Sequence, residues 1–344
     1  MLTDSCIEAI LTRLPFLTVG VLGDLFLDRY LDLDAALTEP SLETGLDAYQ
    51  VVRVRCYAGA AGTIINNLAA LGVGCIHPVA IIGEDGEGYE VRKALDALQV
   101  VNPRWLYTTA DRRTPTYTKP MLHEPGKAPR ELNRLDIKNR APLPPDLEHI
   151  LLLALNEAWQ QVDALIVLDQ VSEADCGVVP RRVRERLAER ANADPEKFVL
   201  ADSRERIGEF RLVALKPNER ECRRALGTPE GTAPDLVELS RRAGRPVFCT
   251  RGAAGILVAD ASPATPRVET VPAYPVSGPI DIVGAGDSTS AGIVCAVATG
   301  ASLTEAAAFG NLVASITIRQ LGTTGTASPD QVRQRWRELH EHSA

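Results

Sequence analysis

The stretch DIVGAGDSTSAG, from Asp281 to Gly292, places two glycines and an alanine directly before an aspartate and follows them with small residues. Glycines allow successive peptide N–H groups to turn toward one anion. A helix that begins here would add its positive N-terminal end. Asp287 would then stand beside a bound phosphate, a position that suits a base taking a proton from an attacking hydroxyl. The alternative is that Asp287 only caps its helix.

The segments around this stretch alternate between short apolar runs, typical of buried strands, and segments with helical spacing. This alternation predicts an α/β fold with a mostly parallel sheet covered by helices on both faces. Ligands bind such sheets at the carboxyl ends of the strands. We therefore expect one composite site from the polar residues at predicted strand ends, which are Asp24, Asp28, Asp169, Asp202, Asn218, Thr250 and Asp287.

The segment KPNERE, from Lys216 to Glu221, lies at a predicted junction between a strand and a helix. Asn218 and Glu221 are three residues apart, so both side chains can face one point above the sheet. Glu221 could hold Mg²⁺ through water, Asn218 could orient phosphate or water, and Lys216 could reach a phosphate oxygen. The alternative is an ordinary helix start with surface charges.

Other segments suit a nucleotide and a sugar. TRGAAG, from Thr250 to Gly255, would let a nucleotide lie along bare backbone, or is simply a hairpin turn. Asn311 in an apolar helix could meet adenine or satisfy a local backbone group. Asp28 suits sugar hydroxyls because a carboxylate accepts two strong hydrogen bonds. Gly59 and Thr63 could bring backbone and a hydroxyl close to the same ligand, although close helix packing also explains the glycine.

Composition excludes several functions. The formal charge is −8, from 37 Lys and Arg against 45 Asp and Glu, with no long basic run, so we expect no nucleic-acid or membrane partner. Seven scattered cysteines favour reduced thiols in a cytoplasm over disulfides or a zinc site. The phosphate loop G-x-x-x-x-G-K-[ST], the fingerprint G-x-G-x-x-G after the first strand, and protein-kinase signatures are missing.

With DIVGAGD, KPNERE, TRGAAG and GDLFLD in these positions, the chain resembles the ribokinase-like carbohydrate kinases, or phosphofructokinase B family, from about residue 19 to about residue 325. The resemblance implies a three-layer α/β/α core, from residues 1–30, 58–111 and 136–344. It also implies a small β-sheet lid from residues 31–57 and 112–135. The sequence pattern of these two ranges is typical of short strands, in agreement with such a lid. Members commonly pair as homodimers through that lid.

The resemblance also implies residue roles. The catalytic base is Asp287, beside an anion hole formed by Gly284, Ala285 and Gly286. ATP and Mg²⁺ would be bound by Lys216, Asn218, Glu221, Thr250, Gly252, Gly255 and Asn311. The sugar would be bound by Asp28, Gly59, Thr63, Lys119, Arg134 and Asp169. A monovalent cation, K⁺, would lie near Asp281.

A narrower resemblance is to heptose 7-phosphate kinases, carried by GDLFLDRYL, RTPTYTKPML, LNRLD and IVLDQ. Two departures are AGAAGT, where Thr63 replaces a sugar-binding asparagine, and QVSE after Asp169, where relatives have a tyrosine and a lysine. The sequence thus predicts an ATP-dependent kinase acting on a sugar or sugar phosphate. The alternatives are a catalytically silent sugar or nucleotide sensor on the same fold and, more distantly, a dinucleotide oxidoreductase.

Overall fold

The computed structural model describes residues 2–262 and 264–341, which form two β-sheets and ten α-helices. The helices are α1 (Asp4–Arg13), α2 (Ala61–Leu71), α3 (Gly86–Asp96), α4 (Pro145–Trp159), α5 (Arg181–Ala193), α6 (Glu219–Leu226), α7 (Leu236–Ala243), α8 (Ala285–Ala298), α9 (Leu303–Thr317) and α10 (Pro329–Glu341). The strands are β1 (Thr18–Gly23), β2 (Leu25–Pro40), β3 (Asp47–Ala60), β4 (Cys75–Gly83), β5 (Trp105–Thr109), β6 (Thr116–His123), β7 (Arg130–Glu131), β8 (Leu135–Ile137), β9 (Ala164–Asp169), β10 (Phe198–Ser203), β11 (Ala214–Leu215), β12 (Val247–Thr250), β13 (Ile256–Asp260) and β14 (Arg267–Val271).

The larger sheet has nine strands in the order β14-β13-β12-β11-β10-β9-β1-β4-β5. Its neighbours pair in parallel from β5 to β12, and β12, β13 and β14 form an antiparallel edge. The order reverses between β4 and β9 on either side of β1, so the first strand lies at the switch point where such sheets bind ligands. The mostly parallel α/β sheet predicted from the sequence is confirmed.

The core has two layers of side chains, one on each face of this sheet. Strand β9 is buried throughout, and its alternate residues serve opposite faces, as the two-residue period of a strand requires. Ile166 and Leu168 join the cluster under α1, α2, α3, α8, α9 and α10, whereas Leu165 and Val167 join the cluster under α4, α5, α6 and α7. Burial on both faces explains why the strands are continuous apolar runs.

The smaller sheet has five strands, with the path β3-β2-β6-β7 and with β8 paired to β6. Strands β2 and β3 form a long antiparallel pair, and β2 pairs in parallel with β6. The sheet begins at Leu25 and its second strand runs to Ala60, so both strands extend closer to the core than the predicted range 31–57. Its last strand also ends at Ile137, two residues beyond the predicted 112–135.

Helix α8 explains the run of small residues that follows Asp287. The helix packs closely on α9, where a Cβ at Gly292 would lie 2.8 Å from the Cα of Gly310. Residues 288–296 are all buried, so larger side chains would have no space. At its N-terminus, the first-turn residues Gly286 and Asp287 line the space between the strand ends of the larger sheet and the smaller sheet.

Candidate active site

A polar cavity of about 590 Å³ lies between the carboxyl ends of the central strands and the five-stranded sheet. Both signs of charge are represented in its lining. The charged side chains that line it are Asp28, Lys119, Glu131, Arg134, Asp202, Arg204, Lys216, Glu221 and Asp287. Thr63, Asn218, Thr250, Gly284 and Gly286 line the same cavity, so most of the residues predicted to form one site do meet there.

Asp287 lies in the first turn of α8 and lines this cavity. Burial and, after it, the nearby Asp202 carboxylate raise the pKa of its carboxyl group to about 7, against the opposing effects of Lys216 and Arg204. The residue at the N-cap of α8 is Gly284, and no side-chain capping hydrogen bond forms there within the described residues. Asp287 is thus not a helix cap, and its pKa lies in the range where a general base works well near neutral pH.

The Lys216 ammonium group holds a short ion pair with Asp202, at 2.7 Å between Nζ and Oδ2. Burial alone would lower the pKa of Lys216, but the carboxylates of Asp202, Glu221 and Asp287 together outweigh this effect and raise it. The lysine is therefore a fixed positive charge. Its ammonium lies near Gly286, since a Cβ added at that glycine would be 3.6 Å from Nζ. Positive charge and helix N-terminus thus face the same point.

The peptide N–H groups at the start of α8 are not equivalent. The N–H of Ala285 donates to the carbonyl of Ile282 at 3.1 Å, so the expectation that Ala285 contributes to an anion hole is corrected. The N–H groups of Gly286 and Asp287 donate to no other residue in the described part of the chain. Such groups in the first turn of a helix have no partner inside the helix and are available to an anion.

Asn218 and Glu221 form a reciprocal cap at the start of α6. Asn218 Oδ1 accepts from the N–H of Glu221 at 2.9 Å, and Glu221 Oε2 accepts from the N–H of Asn218 at 2.8 Å. Both residues still line the cavity. Burial and the Asp202 carboxylate raise the pKa of Glu221. The helix-start alternative and a ligand-binding role are therefore compatible at these two positions.

A second, mostly apolar cavity of about 650 Å³ lies on the other side of the first turn of α8. Thr250 and Gly286 line both cavities. The second cavity is also lined by Gly252, Gly255, Tyr274, Ile280, Ile282, Ala285 and Asn311. Gly255 has φ of 86°, and a Cβ there would overlap the carbonyl of Val271, so the turn after β12 requires glycine.

Asn311 is positioned by the backbone at the edge of the apolar cavity. Its Nδ2 donates to the carbonyls of Val271, at 3.3 Å, and Pro272, at 3.0 Å. The local-backbone alternative for this residue is thus correct for the side-chain nitrogen. The residue still lines the cavity, and neither bond involves its side-chain oxygen.

Asp28 and Lys119, on the neighbouring strands β2 and β6, form an ion pair in the wall of the polar cavity, with 3.3 Å between Oδ1 and Nζ. Lys119 also donates to the hydroxyl of Tyr30 at 3.1 Å. Gly59 is absent from the cavity lining, but a Cβ at this position would overlap the Asp28 carboxylate. Gly59 therefore acts by leaving room for Asp28, which corrects the expectation of direct contact with substrate.

Arg134 lies over the ring of Tyr117, with its Cζ 4.1 Å from the ring centroid, and pairs with both carboxylate oxygens of Asp136 at 2.7 and 2.9 Å. Tyr117 in turn packs edge-on against Phe26, with 5.1 Å between ring centroids. All three of Arg134, Tyr117 and Phe26 line the polar cavity. Two aromatic rings and a guanidinium group thus form its wall on the side of the smaller sheet.

Comparison with protein families decides the class. Residues 31–331 match the family model described as pfkB family carbohydrate kinase. The chain belongs to the pfkB family of carbohydrate kinases. This membership confirms the resemblance drawn from the sequence and does not favour the silent-sensor alternative.

This pfkB-family chain is similar to proteins named bifunctional protein HldE. The protein from Trichlorobacter lovleyi is 28% identical over 333 residues, which cover 95% of this chain and 64% of the relative. The protein from Caulobacter sp. is 30% identical over 322 residues, which cover 89% of this chain and 60% of the relative. The chain therefore spans less than two thirds of the length of these relatives.

Solved structures share the fold of this pfkB-family chain. Phosphofructokinase-2 from Escherichia coli, in complex with potassium, matches with a TM-score of 0.68 at 20% identity over 94% of this chain and 99% of that chain. Ribokinase from Arabidopsis thaliana, complexed with ribose and ATP, matches with a TM-score of 0.64 at 16% identity over 93% of this chain and 98% of that chain.

The described residues include no helix with the length and apolar character needed to cross a membrane.

The structure of the pfkB-family chain corrects the role expected for Asp169. This residue is 1% exposed and is absent from the lining of the polar cavity. Its carboxylate accepts two hydrogen bonds from Arg206, at 2.6 and 3.1 Å, and one from Ser203 Oγ at 2.6 Å. Because the arginine follows the neighbouring strand β10, it draws the carboxylate away from the cavity.

Sequence reasoning gave no role to several lining residues of this pfkB-family site. Arg204 and Gln170 line the polar cavity, as do Phe26 and Tyr117. The positions of Gln170 and Arg204, directly after β9 and β10, carried the same strand-end signal that identified the aspartates. The two aromatic residues had no such signal, because their contact with the cavity depends on how the two sheets meet.

Proposed function

We propose that this chain transfers the γ-phosphoryl group of ATP to a hydroxyl group of a sugar phosphate. The observation that carries the proposal is the position of Asp287 in the turn of α8 that separates a polar cavity from an apolar one. The polar cavity suits a sugar, and the apolar cavity suits the adenine ring of a nucleotide. A phosphoryl group at the start of α8 would then lie between donor and acceptor.

In this proposal Asp287 accepts the proton of the attacking hydroxyl. Phosphoryl transfer has a loose transition state, so positioning and charge neutralisation contribute more than covalent chemistry. The N–H groups of Gly286 and Asp287 and the ammonium group of Lys216 would stabilise the oxygens of the transferring group. Asp28 would hold hydroxyl groups of the acceptor, since its carboxylate lies in the same cavity.

The basic lining of the polar cavity supports a phosphorylated acceptor. Lys119, Arg134 and Arg204 all line it, in addition to Lys216. Within the described residues, the Arg204 side chain forms no ion pair, whereas Lys119 and Arg134 each have a carboxylate partner. A free guanidinium group is well suited to a phosphate. The motif resemblance to heptose 7-phosphate kinases supports a heptose phosphate as the acceptor.

The apolar cavity supports nucleotide binding. Ile280 and Ile282 line it and are half or more exposed, at 50% and 71%. An adenine ring placed there would remove this apolar surface from water.

The proposal locates the protein in the cytoplasm, where ATP is abundant and where its seven free cysteines would stay reduced.

Cations would assist at two positions. Among the described residues, no group of three or more His, Cys, Asp or Glu side chains could hold a metal alone. Mg²⁺ often takes one or two carboxylates together with water and phosphate oxygens, so Glu221, whose Oε1 forms no hydrogen bond or ion pair within the described residues, fits such a ligand set. Mg²⁺, when bound, supplies positive charge that neutralises phosphate oxygens. K⁺ would lie at Asp281, whose carboxylate also accepts from the N–H groups of Val283 and Gly322.

The five-stranded sheet is part of the proposal as a lid and as a dimer interface. It covers the polar cavity with Asp28, Tyr117 and Lys119, so it would exclude water that hydrolyses ATP.

Strand β3 is an edge strand, and its residues 51, 52 and 54 are exposed valines. Such a surface suits a second copy of the chain. Sedimentation equilibrium would give the mass of the dimer. A monomer mass at about 50 μM in a buffer of moderate salt would refute the proposed dimer.

The experiment that tests the activity is a coupled assay of ADP release with a panel of acceptors. The panel contains D-mannose, D-mannose 6-phosphate, sedoheptulose 7-phosphate and D-glycero-D-manno-heptose 7-phosphate, each with Mg²⁺ and ATP. We expect turnover with at least one of the phosphorylated sugars and a much lower kcat/KM with mannose. Turnover with no member of the panel above the rate of ATP hydrolysis alone would refute the proposed function.

A further inference from the structure

The loop of residues 170–178, which follows β9, contains no helix or strand and is held in place by buried charged side chains. Asp24, 3% exposed, accepts three main-chain hydrogen bonds from it. Oδ2 accepts from the N–H groups of Gln170 at 3.1 Å and Val171 at 3.2 Å, and Oδ1 accepts from Val178 at 2.8 Å. One carboxylate thus fixes both ends of the loop.

Arg206 holds the carbonyl groups of the same loop. Its guanidinium group donates to the carbonyls of Val171 and Ser172, the latter at 2.9 Å, while it also pairs with both carboxylate oxygens of Asp169. The arginine is 8% exposed, so these hydrogen bonds form away from water. The planar guanidinium group can satisfy a carboxylate and two carbonyls together, which an ammonium group could not do with the same geometry.

The held loop contributes one polar side chain to the polar cavity. Gln170 lines the cavity, and its side-chain amide forms no hydrogen bond with any other residue in the ranges 2–262 and 264–341. Val171 and Cys176 of the loop pack against Phe26, which lines the same cavity. An amide that faces a polar cavity with its donors and acceptor unused is suited to hydroxyl groups of a sugar.

We propose that Gln170 contacts the acceptor directly and determines which acceptor is preferred, and that Arg206 is a positioning residue that fixes Gln170 through the backbone of the loop. This inference rests on the proposed function, because it assigns the polar cavity to the acceptor. It gives the cavity a specificity-determining contact at the position next to Asp169, whose own carboxylate is engaged by Arg206. The two residues therefore act in series, with Arg206 orienting and Gln170 binding.

The first test is a comparison of Gln170→Ala with Ser172→Ala, a variant in the same loop whose side chain does not line the polar cavity. Steady-state kinetics use the acceptor of the panel that the wild-type protein phosphorylates best. We expect Gln170→Ala to raise the acceptor KM about three- to tenfold, the effect of one or two neutral hydrogen bonds, with the ATP KM unchanged. Ser172→Ala should match the wild type. An unchanged acceptor KM in Gln170→Ala, or an equal rise in both KM values, would overturn the assignment.

The second test addresses Arg206 with the double variant Asp169→Asn/Arg206→Met, which removes both buried charges together and avoids an unpaired carboxylate. The matched control is Asp32→Asn/Arg55→Met, because Arg55 also pairs with both carboxylate oxygens of one aspartate, at 3.0 and 2.9 Å, and neither residue bonds to the loop within the described part of the chain. Hydrogen exchange of residues 170–178 should accelerate about tenfold or more in the double variant and stay at the wild-type rate in the control. The acceptor KM should rise as in Gln170→Ala.

The two tests separate the inference from the proposed function. If the wild-type protein phosphorylates no acceptor, the proposed function and the role of Gln170 are both refuted, while the exchange experiment still decides whether Arg206 positions the loop. If the wild-type protein is active and loop exchange is the same in all proteins, the positioning role of Arg206 is refuted and the proposed function stands.

Discussion

The two cavities beside the first turn of α8 have similar volumes, about 590 and 650 Å³, but opposite linings. The first brings together carboxylates, ammonium and guanidinium groups, whereas the second is formed mainly by isoleucine, proline, tyrosine and alanine side chains. Both use the same helix terminus as a wall, through Gly286. The fold thus provides one fixed point, and the side chains on either side of it determine which chemistry each cavity can accommodate.

The contrast has an energetic side. In the polar cavity, burial and, after it, the Asp202 carboxylate raise the pKa values of Asp287 and Glu221, so these three carboxylates oppose one another's ionisation. Among the described residues, the ion pair between Lys216 and Asp202 is the only one formed by these three carboxylates. The apolar cavity instead leaves isoleucine side chains in contact with water. An apolar ring bound in the second cavity would remove this surface from water.

The largest expected effect sharpens the comparison at Asp287. Asp287→Asn should reduce kcat roughly 10²–10⁴-fold, the usual contribution of a general base, because the amide cannot accept the hydroxyl proton. The KM for ATP should change little, since the apolar cavity is untouched. Steady-state assays at saturating acceptor measure the loss. Asp330→Asn, at a carboxylate 95% exposed on α10, is the matched control and should retain wild-type kcat.

The pH dependence gives the second half of this prediction. Because the pKa of Asp287 is raised to about 7, the carboxyl group is protonated and inactive as a base below that pH and ionised above it. The acceptor kcat/KM of the wild-type protein should therefore fall about tenfold per pH unit below pH 7 and level off above it. The residual rate of Asp287→Asn should lack this inflection. A wild-type profile that is flat from about pH 5.5 to about pH 8 would contradict the role of Asp287 as the base.

A smaller effect tests the apolar side alone. Ile282→Ser should raise the ATP KM about three- to tenfold, because the nucleotide would bury less apolar surface, while the acceptor KM stays at its wild-type value. Since Ile282 is 71% exposed, the substitution should not disturb folding. Val268→Ser, at a valine 50% exposed on β14 and outside both cavities, is the control. A rise in the acceptor KM alone would reverse the assignment of the two cavities.

Much of the site could be predicted from the order of strands and turns in the sequence. Asp28, Lys216, Glu221 and Asp287 were placed together because parallel strands end at one edge of a sheet, and the structure brings them to one cavity. Asp169 was wrong for a reason that local sequence does not reveal. Its partner Arg206 lies on the neighbouring strand connection, 37 residues away, and only the packed structure brings the two within 2.6 Å.

The anion hole gives a second example. The glycine-rich turn before Asp287 correctly indicated a helix N-terminus with available N–H groups, but the sequence could not say which of them are free. Ala285 is not free, because its N–H group donates to the carbonyl of Ile282 three residues earlier in the turn. Hydrogen bonds within a turn depend on its exact backbone angles, and neighbouring elements set those angles during packing.

By itself, the sequence determined the alternation of strands and helices, the family and the residues at the strand ends, because these depend on local spacing and on where glycine replaces a side chain. Only the tertiary structure decided which of two neighbouring residues, Asp169 or Gln170, faces the polar cavity and which is drawn to Arg206. The physical reason is that a buried charge must find its partner inside the protein, and that partner can come from any part of the chain.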